Sequence, residues 1–150
     1  MGAVTFSGPI RSGDKKDADA NGVDNLGDVV LCQSGKILQT TTLSNPGIVI
    51  PANSEILRID LIIDKAFDGA TNTVQCGYNA TADNLTDNDA ITNNPGYTQL
   101  TPNGDLADIK DWVNVGPKDV TVYFKNSANG GGAGFLRITY IQNRGQVINV

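Results

Sequence analysis

The sequence predicts an all-β fold, an antiparallel β-sandwich or jelly roll. Of its 16 acidic residues only Glu55 is a glutamate, and glycine occurs 17 times. Asp, Asn, Gly and Thr are poor helix formers, and the first three favour turns. Apolar residues recur at every second position in several runs, which is the period of a strand. Turn residues separate these runs at short intervals, as in sandwiches and barrels.

The elements follow in order. Residues 1–27 read as an arm. Val4 and Phe6 lie in a short apolar stretch, Gly8-Pro9-Ile10-Arg11-Ser12-Gly13 breaks any helix, and residues 14–27 are polar. Such a stretch does not bury enough surface to fold alone, so it reads either as a disordered tail or as an arm that orders against a partner. A β-sandwich domain is expected over 28–150. Within it, 28–33 and 36–43 read as a hairpin turning at Ser34-Gly35. Ile48-Val49-Ile50 is a short strand that Pro51 ends.

Residues 54–64 give the clearest strand. Leu57, Ile59, Leu61 and Ile63 form one apolar set, spaced by two, that predicts a buried face. β-branched content favours a strand there over a helix. Residues 71–78 alternate again after the Asp68-Gly69 turn. Residues 79–108 read as a long surface loop with one short strand near 97–101. A loop of that length in a small domain is usually functional. Strands are then expected over 109–115, which holds Trp112, over 119–125 and over 134–142. Val147-Ile148-Asn149-Val150 forms an apolar tail suited to a sheet edge. The total is about eight strands and no long helix.

Composition removes whole classes of function. The chain of 150 residues has a formal net charge of -5, and its pI is about 4.4. No basic footprint for nucleic acid is visible, and even Lys15-Lys16 is flanked by Asp14, Asp17 and Asp19. A negative surface disfavours anionic lipid. No run reaches the roughly 18–20 apolar residues of a membrane helix. No secretion signal opens the sequence, so synthesis in a cytosol is expected.

The sequence contains no histidine. That excludes His-dependent triads, His-ligated metals and imidazole acid–base chemistry. Cys32 and Cys76 sit in apolar runs and read as small buried hydrophobes rather than nucleophiles. The acidic loop Asp83-Asn84-Leu85-Thr86-Asp87-Asn88-Asp89 is the best candidate for calcium. Its spacing does not match a helix–loop–helix calcium loop, and no bidentate Glu follows it. Gly130-Gly131-Gly132 lacks the Lys-Ser/Thr partner of a phosphate loop. No cofactor, no metal and no enzymatic activity are expected.

One resemblance spans most of the chain. It runs through the arm Phe6-Ser7-Gly8-Pro9-Ile10-Arg11-Ser12-Gly13, then Val29-Val30-Leu31-Cys32-Gln33-Ser34-Gly35 and Ile50-Pro51-Ala52-Asn53-Ser54-Glu55-Ile56-Leu57. It continues through Phe67-Asp68-Gly69-Ala70-Thr71-Asn72-Thr73, Asp119-Val120-Thr121-Val122-Tyr123 and Ile138-Thr139-Tyr140-Ile141-Gln142. This pattern resembles the head decoration, or cement, proteins of tailed, cyanophage-like bacteriophages. The resemblance implies a jelly-roll-like sandwich, usually a homotrimer, on the outer surface of the virion. Its partner would be the major capsid protein, and it would clamp neighbouring capsomers. Another virion component (a head fibre, tail or receptor-binding module) and a non-viral β-sandwich binding module are the alternatives. The candidate interface residues are Val4, Phe6, Pro9, Ile10 and Arg11 in the arm, Trp112, and Val147, Ile148 and Val150 in the tail.

Overall fold

The computed structural model describes residues 16–17, 24–25, 29–102, 104 and 106–142; for the first two pairs it describes only their strand pairing. β1 (Lys16–Asp17) and β2 (Asp24–Asn25) pair antiparallel. The remaining elements are β3 (Val30–Leu38), β4 (Val49–Ile50), β5 (Glu55–Lys65), β6 (Asn72–Gly77), β7 (Thr86–Ile91), β8 (Gly96–Leu100), α1 (Leu106–Val113), β9 (Val120–Thr121), β10 (Tyr123–Asn126) and β11 (Ala133–Ile141). The protein is an all-β antiparallel sandwich.

One sheet has four strands in the order β3-β11-β5-β8, and another has three in the order β10-β6-β7. A ribbon pairs β4 with β9. The inward side chains of these layers make one core. The four-stranded sheet contributes Ile37, Ile59, Leu61, Ile63, Leu136 and Ile138. Val74, Cys76, Val122, Phe124, Ile48 and Ile50 join them from the other elements. Each fully buried Leu, Ile or Phe adds roughly 1.5–3 kcal/mol over an exposed one.

The strong alternating runs form strands where the sequence predicts them, at β5, β6, β10 and β11. Within β5 one residue changes sides. Ile59, Leu61 and Ile63 are buried, but Leu57 is exposed and Ile56 takes its place in the core. The cause is a β-bulge. Thr139 pairs with Arg58 and Tyr140 with Ile56, so Leu57 is skipped. A bulge shifts the phase of alternation by one residue.

Other expectations are corrected. Ser34-Gly35 is not a turn, because β3 runs through it unbroken and pairs along its whole length with β11. Gly35 is needed for a close approach instead. A Cβ there would lie 2.1 Å from the Pro46 carbonyl oxygen. The short strand expected near 97–101 forms as β8, but the rest of 79–108 is not all loop, since β7 also lies within it. β7 is polar because it is an edge strand, paired only with β6.

Residues 109–115 are not a strand. Leu106, Ile109 and Val113 have the spacing of one helix face, and α1 forms there with Asp108 in its first turn and Lys110 in its last. Those charges complement the helix dipole. Gly116, at φ 100, follows the helix in the left-handed region, and its N–H donates to Asn114 Oδ1 at 2.8 Å.

Candidate docking surface

The four-stranded sheet buries one face and presents the other outward. Register decides which outward side chains are neighbours. Phe135 lies between Lys36 on β3 and Ile62 on β5, and Ile62 faces Tyr97 on β8. In the next row, Arg137 lies between Ser34 and Asp60, and Asp60 faces Gln99. Thr139 then lies between Cys32 and Arg58. An apolar row of Phe135, Ile62 and Tyr97 thus runs across the sheet beside Lys36, Arg58 and Arg137. Leu38 and Phe135 are exposed, and Tyr97 is 49% exposed.

Asp60 belongs to this outward face yet is only 4% exposed. Its neighbours cover it. Arg58 Nε donates to Asp60 Oδ1 at 2.6 Å, and the Tyr97 hydroxyl donates to the same oxygen at 2.5 Å. The Arg58 guanidinium carbon also lies 5.2 Å from the Tyr97 ring centroid, a cation–π arrangement. The carboxylate therefore holds an arginine and a tyrosine in place before any partner arrives. Arg and Tyr are over-represented among the residues that dominate binding energy.

A second exposed apolar group lies on α1, where Leu106, Ile109 and Val113 project outward. The opposite side of the helix is held down by Trp112. Its indole N–H donates to the Leu85 carbonyl at 2.8 Å, and its ring packs against the core. Among the sequence-predicted interface residues, Trp112 is thus a half-buried anchor of α1. Val4, Phe6, Pro9, Ile10, Arg11, Val147, Ile148 and Val150 lie outside the described residues.

The acidic loop spends its oxygens on the protein itself. Asn84 Oδ1 accepts the N–H groups of Tyr78 and Asn79 at 2.8 and 3.1 Å, and Asn84 Nδ2 donates to Asp111 at 2.6 Å. Asp83 accepts from Asn79 and Thr81; these hydrogen bonds hold its carboxyl below the usual range. Asp87 accepts from Gln75 and Asn88. Asp89 accepts the Thr101 N–H at 3.1 Å. Among the described residues no group of three or more His, Cys, Asp or Glu is arranged to hold a metal ion.

Cys76 is buried as expected, but Cys32 is exposed. It lies on the outward phase of β3, so only half of the apolar run around it points inward. Burial, with Asp89 nearby, pushes the Cys76 thiol far up. The outward sheet face itself is missing from the sequence reading. The signal was present in the polar-looking set Arg58, Asp60 and Ile62 of β5, set against Phe135, Arg137 and Thr139 of β11.

The fold is a β-sandwich whose four-stranded sheet presents one face outward. No family model and no curated protein matches the chain. Solved structures do match its fold. A chain of the cyanophage Pam1 capsid asymmetric unit is 13% identical at a TM-score of 0.52, over 95% of this chain and 99% of that one. A chain from the acid-stable capsid structure of Helicobacter pylori bacteriophage KHP30 gives 13% identity and a TM-score of 0.53, over 77% and 89%. A chain from the capsid of Ralstonia phage GP4 gives 18% identity and a TM-score of 0.51, over 76% and 84%. At these identities the likeness is one of fold.

Proposed function

We propose that this chain is a structural, non-enzymatic virion protein that decorates and stabilises a phage head from the outer surface. Its partner in this reading is the major capsid protein, and it acts as a homotrimer. The observation that carries the reading is the end-to-end fold likeness to a chain of a cyanophage capsid asymmetric unit. The two further phage capsid structures support it. A sequence without histidine is consistent with a protein whose work is contact rather than chemistry. Many modest contacts over one shell add up by avidity.

In the same reading residues 1–27 serve as an arm whose Val4, Phe6, Pro9, Ile10 and Arg11 reach the shell or a sister subunit. Val147, Ile148 and Val150 serve a second contact. Apolar segments of this kind add to a neighbour's sheet edge through main-chain hydrogen bonds.

Co-sedimentation tests the proposal. Purified protein is mixed with heads of the encoding phage that lack it, and the pellet is assayed. Saturable binding to heads, with no binding to unassembled capsid subunits, is expected. A protein that stays in the supernatant overturns the reading. Light scattering should give a native mass near three chains, and deleting residues 1–13 should abolish binding while the sandwich stays folded.

A further inference from the structure

We infer that the outward face of the four-stranded sheet is the surface that docks on the shell, and that the shell offers it acidic residues around an apolar centre. This inference rests on the virion reading above.

The face is cationic on an acidic molecule. The whole chain carries a formal charge of -5. Yet Lys36 and Arg137 are exposed here and the Arg58 side chain is 45% exposed, whereas Asp60 is covered. The cations flank an apolar row, Phe135, Ile62 and Tyr97, which is the anatomy of an interface with an apolar centre and a charged rim. The Asp60 carboxylate fixes Arg58 and Tyr97 in advance, so less side-chain freedom is lost on binding. Arg58 engages Asp60 through Nε, and a guanidinium presents its remaining N–H groups as a fork that matches a carboxylate.

One stripe of a second copy brings like charge to the face. This exposed apolar stripe, Leu106, Ile109 and Val113, is accompanied by exposed Lys110, which would meet Arg58 and Arg137 with like charge. Asp83, Asp87 and Asp89 are half-buried and already hydrogen-bonded within their own copy. In the virion reading the complement is the shell, and a face between copies is the alternative outcome that the test below separates.

The contact is small. The width of four strands is ~14 Å and the length of β11 about 30 Å. That gives on the order of 400 Å² per copy, about half of one partner's share of a standard interface. Single-copy binding should be weak and salt-sensitive, with strength coming from multiplicity.

The test uses the full chain with two charge-reversed pairs. Lys36→Glu with Arg137→Glu changes the sheet face; Lys118→Glu with Lys125→Glu makes the same charge change elsewhere. Circular dichroism checks that both fold. The first pair should bind heads at least about tenfold more weakly than wild type, since like charges across an interface repel strongly. The second should bind as wild type does. Wild-type binding should also fall steeply as salt is raised. Equal binding by the two pairs, or salt-independent binding, overturns the inference while the virion reading stands. A native mass altered only by the first pair would make this a face between copies and overturn it too. Heads that bind no wild-type protein overturn both. If the first pair does not fold, Lys36→Gln with Arg137→Gln replaces it, with a smaller loss expected.

Discussion

The Tyr97 hydroxyl and the Arg58 guanidinium meet on a single oxygen, Oδ1 of Asp60. Three strand positions on β5 and β8 are thereby tied across the outward face, where packing alone would leave each side chain loose. Replacing Asp60 by Ala should cost about 2 kcal/mol, and Tyr97→Phe about 1 kcal/mol; the exposure of Arg58 keeps both modest. Urea unfolding measures both. A double-mutant cycle on Arg58 and Tyr97 should show favourable coupling of roughly 0.5–1 kcal/mol.

Gly35 lies on β3 where the chain near Pro46 crosses it. A methyl group at that position would collide with backbone, which cannot swing aside as a side-chain end can. Gly35→Ala should destabilise by about 2 kcal/mol or more. A Tm within a degree of wild type would show that the 44–50 segment moves freely away from β3.

The two thiols should separate cleanly. With an aromatic disulfide reagent, Cys32 should react in the native protein, and Cys76 only at the rate of unfolding. Stoichiometry supplies the measurement: one equivalent reacts at once, and the second reacts on adding denaturant.

Two aspartates of the same acidic stretch should respond to pH in opposite senses. Burial raises the Asp89 carboxyl, and the charge of Asp87 adds to this; the Thr101 N–H opposes it. Its charged form therefore weakens the fold, a cost absent below the ordinary value of 3.8 and growing as pH rises through the raised value. Asp89→Asn should raise Tm near neutral pH and lose that advantage in acid. Hydrogen bonds lower the Asp83 carboxyl, so its stabilisation is present above its ordinary value and is lost as pH falls through the lowered one. Asp83→Asn should lower Tm near neutral pH and converge on wild type in acid.

How much of this was legible depended on how far a residue's environment is local. β5, β6 and β11 alternate because each has one buried face, and alternation is visible in any window. The Leu57 bulge is set by the pairing of Arg58 with Thr139 and of Ile56 with Tyr140, which the sequence near Leu57 does not reveal. Ser34-Gly35 looks like a turn in isolation; Pro46, brought alongside by the fold, gives that glycine a different purpose. β7 was missed because an edge strand tolerates the Asp and Asn content that also marks loops. The α1 helix was missed because it straddles the border between the expected loop and the expected 109–115 strand, which separates Leu106 from Ile109 and Val113 and hides their helical spacing. The docking face combines residues from four strands, and their adjacency follows from register alone.

The place of β11 has a consequence for how the molecule comes into being. This strand is the central partner of both β3 and β5, yet it is the last of the described strands to leave the ribosome. While synthesis has reached only residue 132, β3 has no neighbour and the inner edge of β5 is bare. The nascent polypeptide would hold β3 and the inner edge of β5 unmatched until residues 133–141 slot between them. A late closure of the sheet, after the non-local pairings of β11 become possible, follows from such a wiring order.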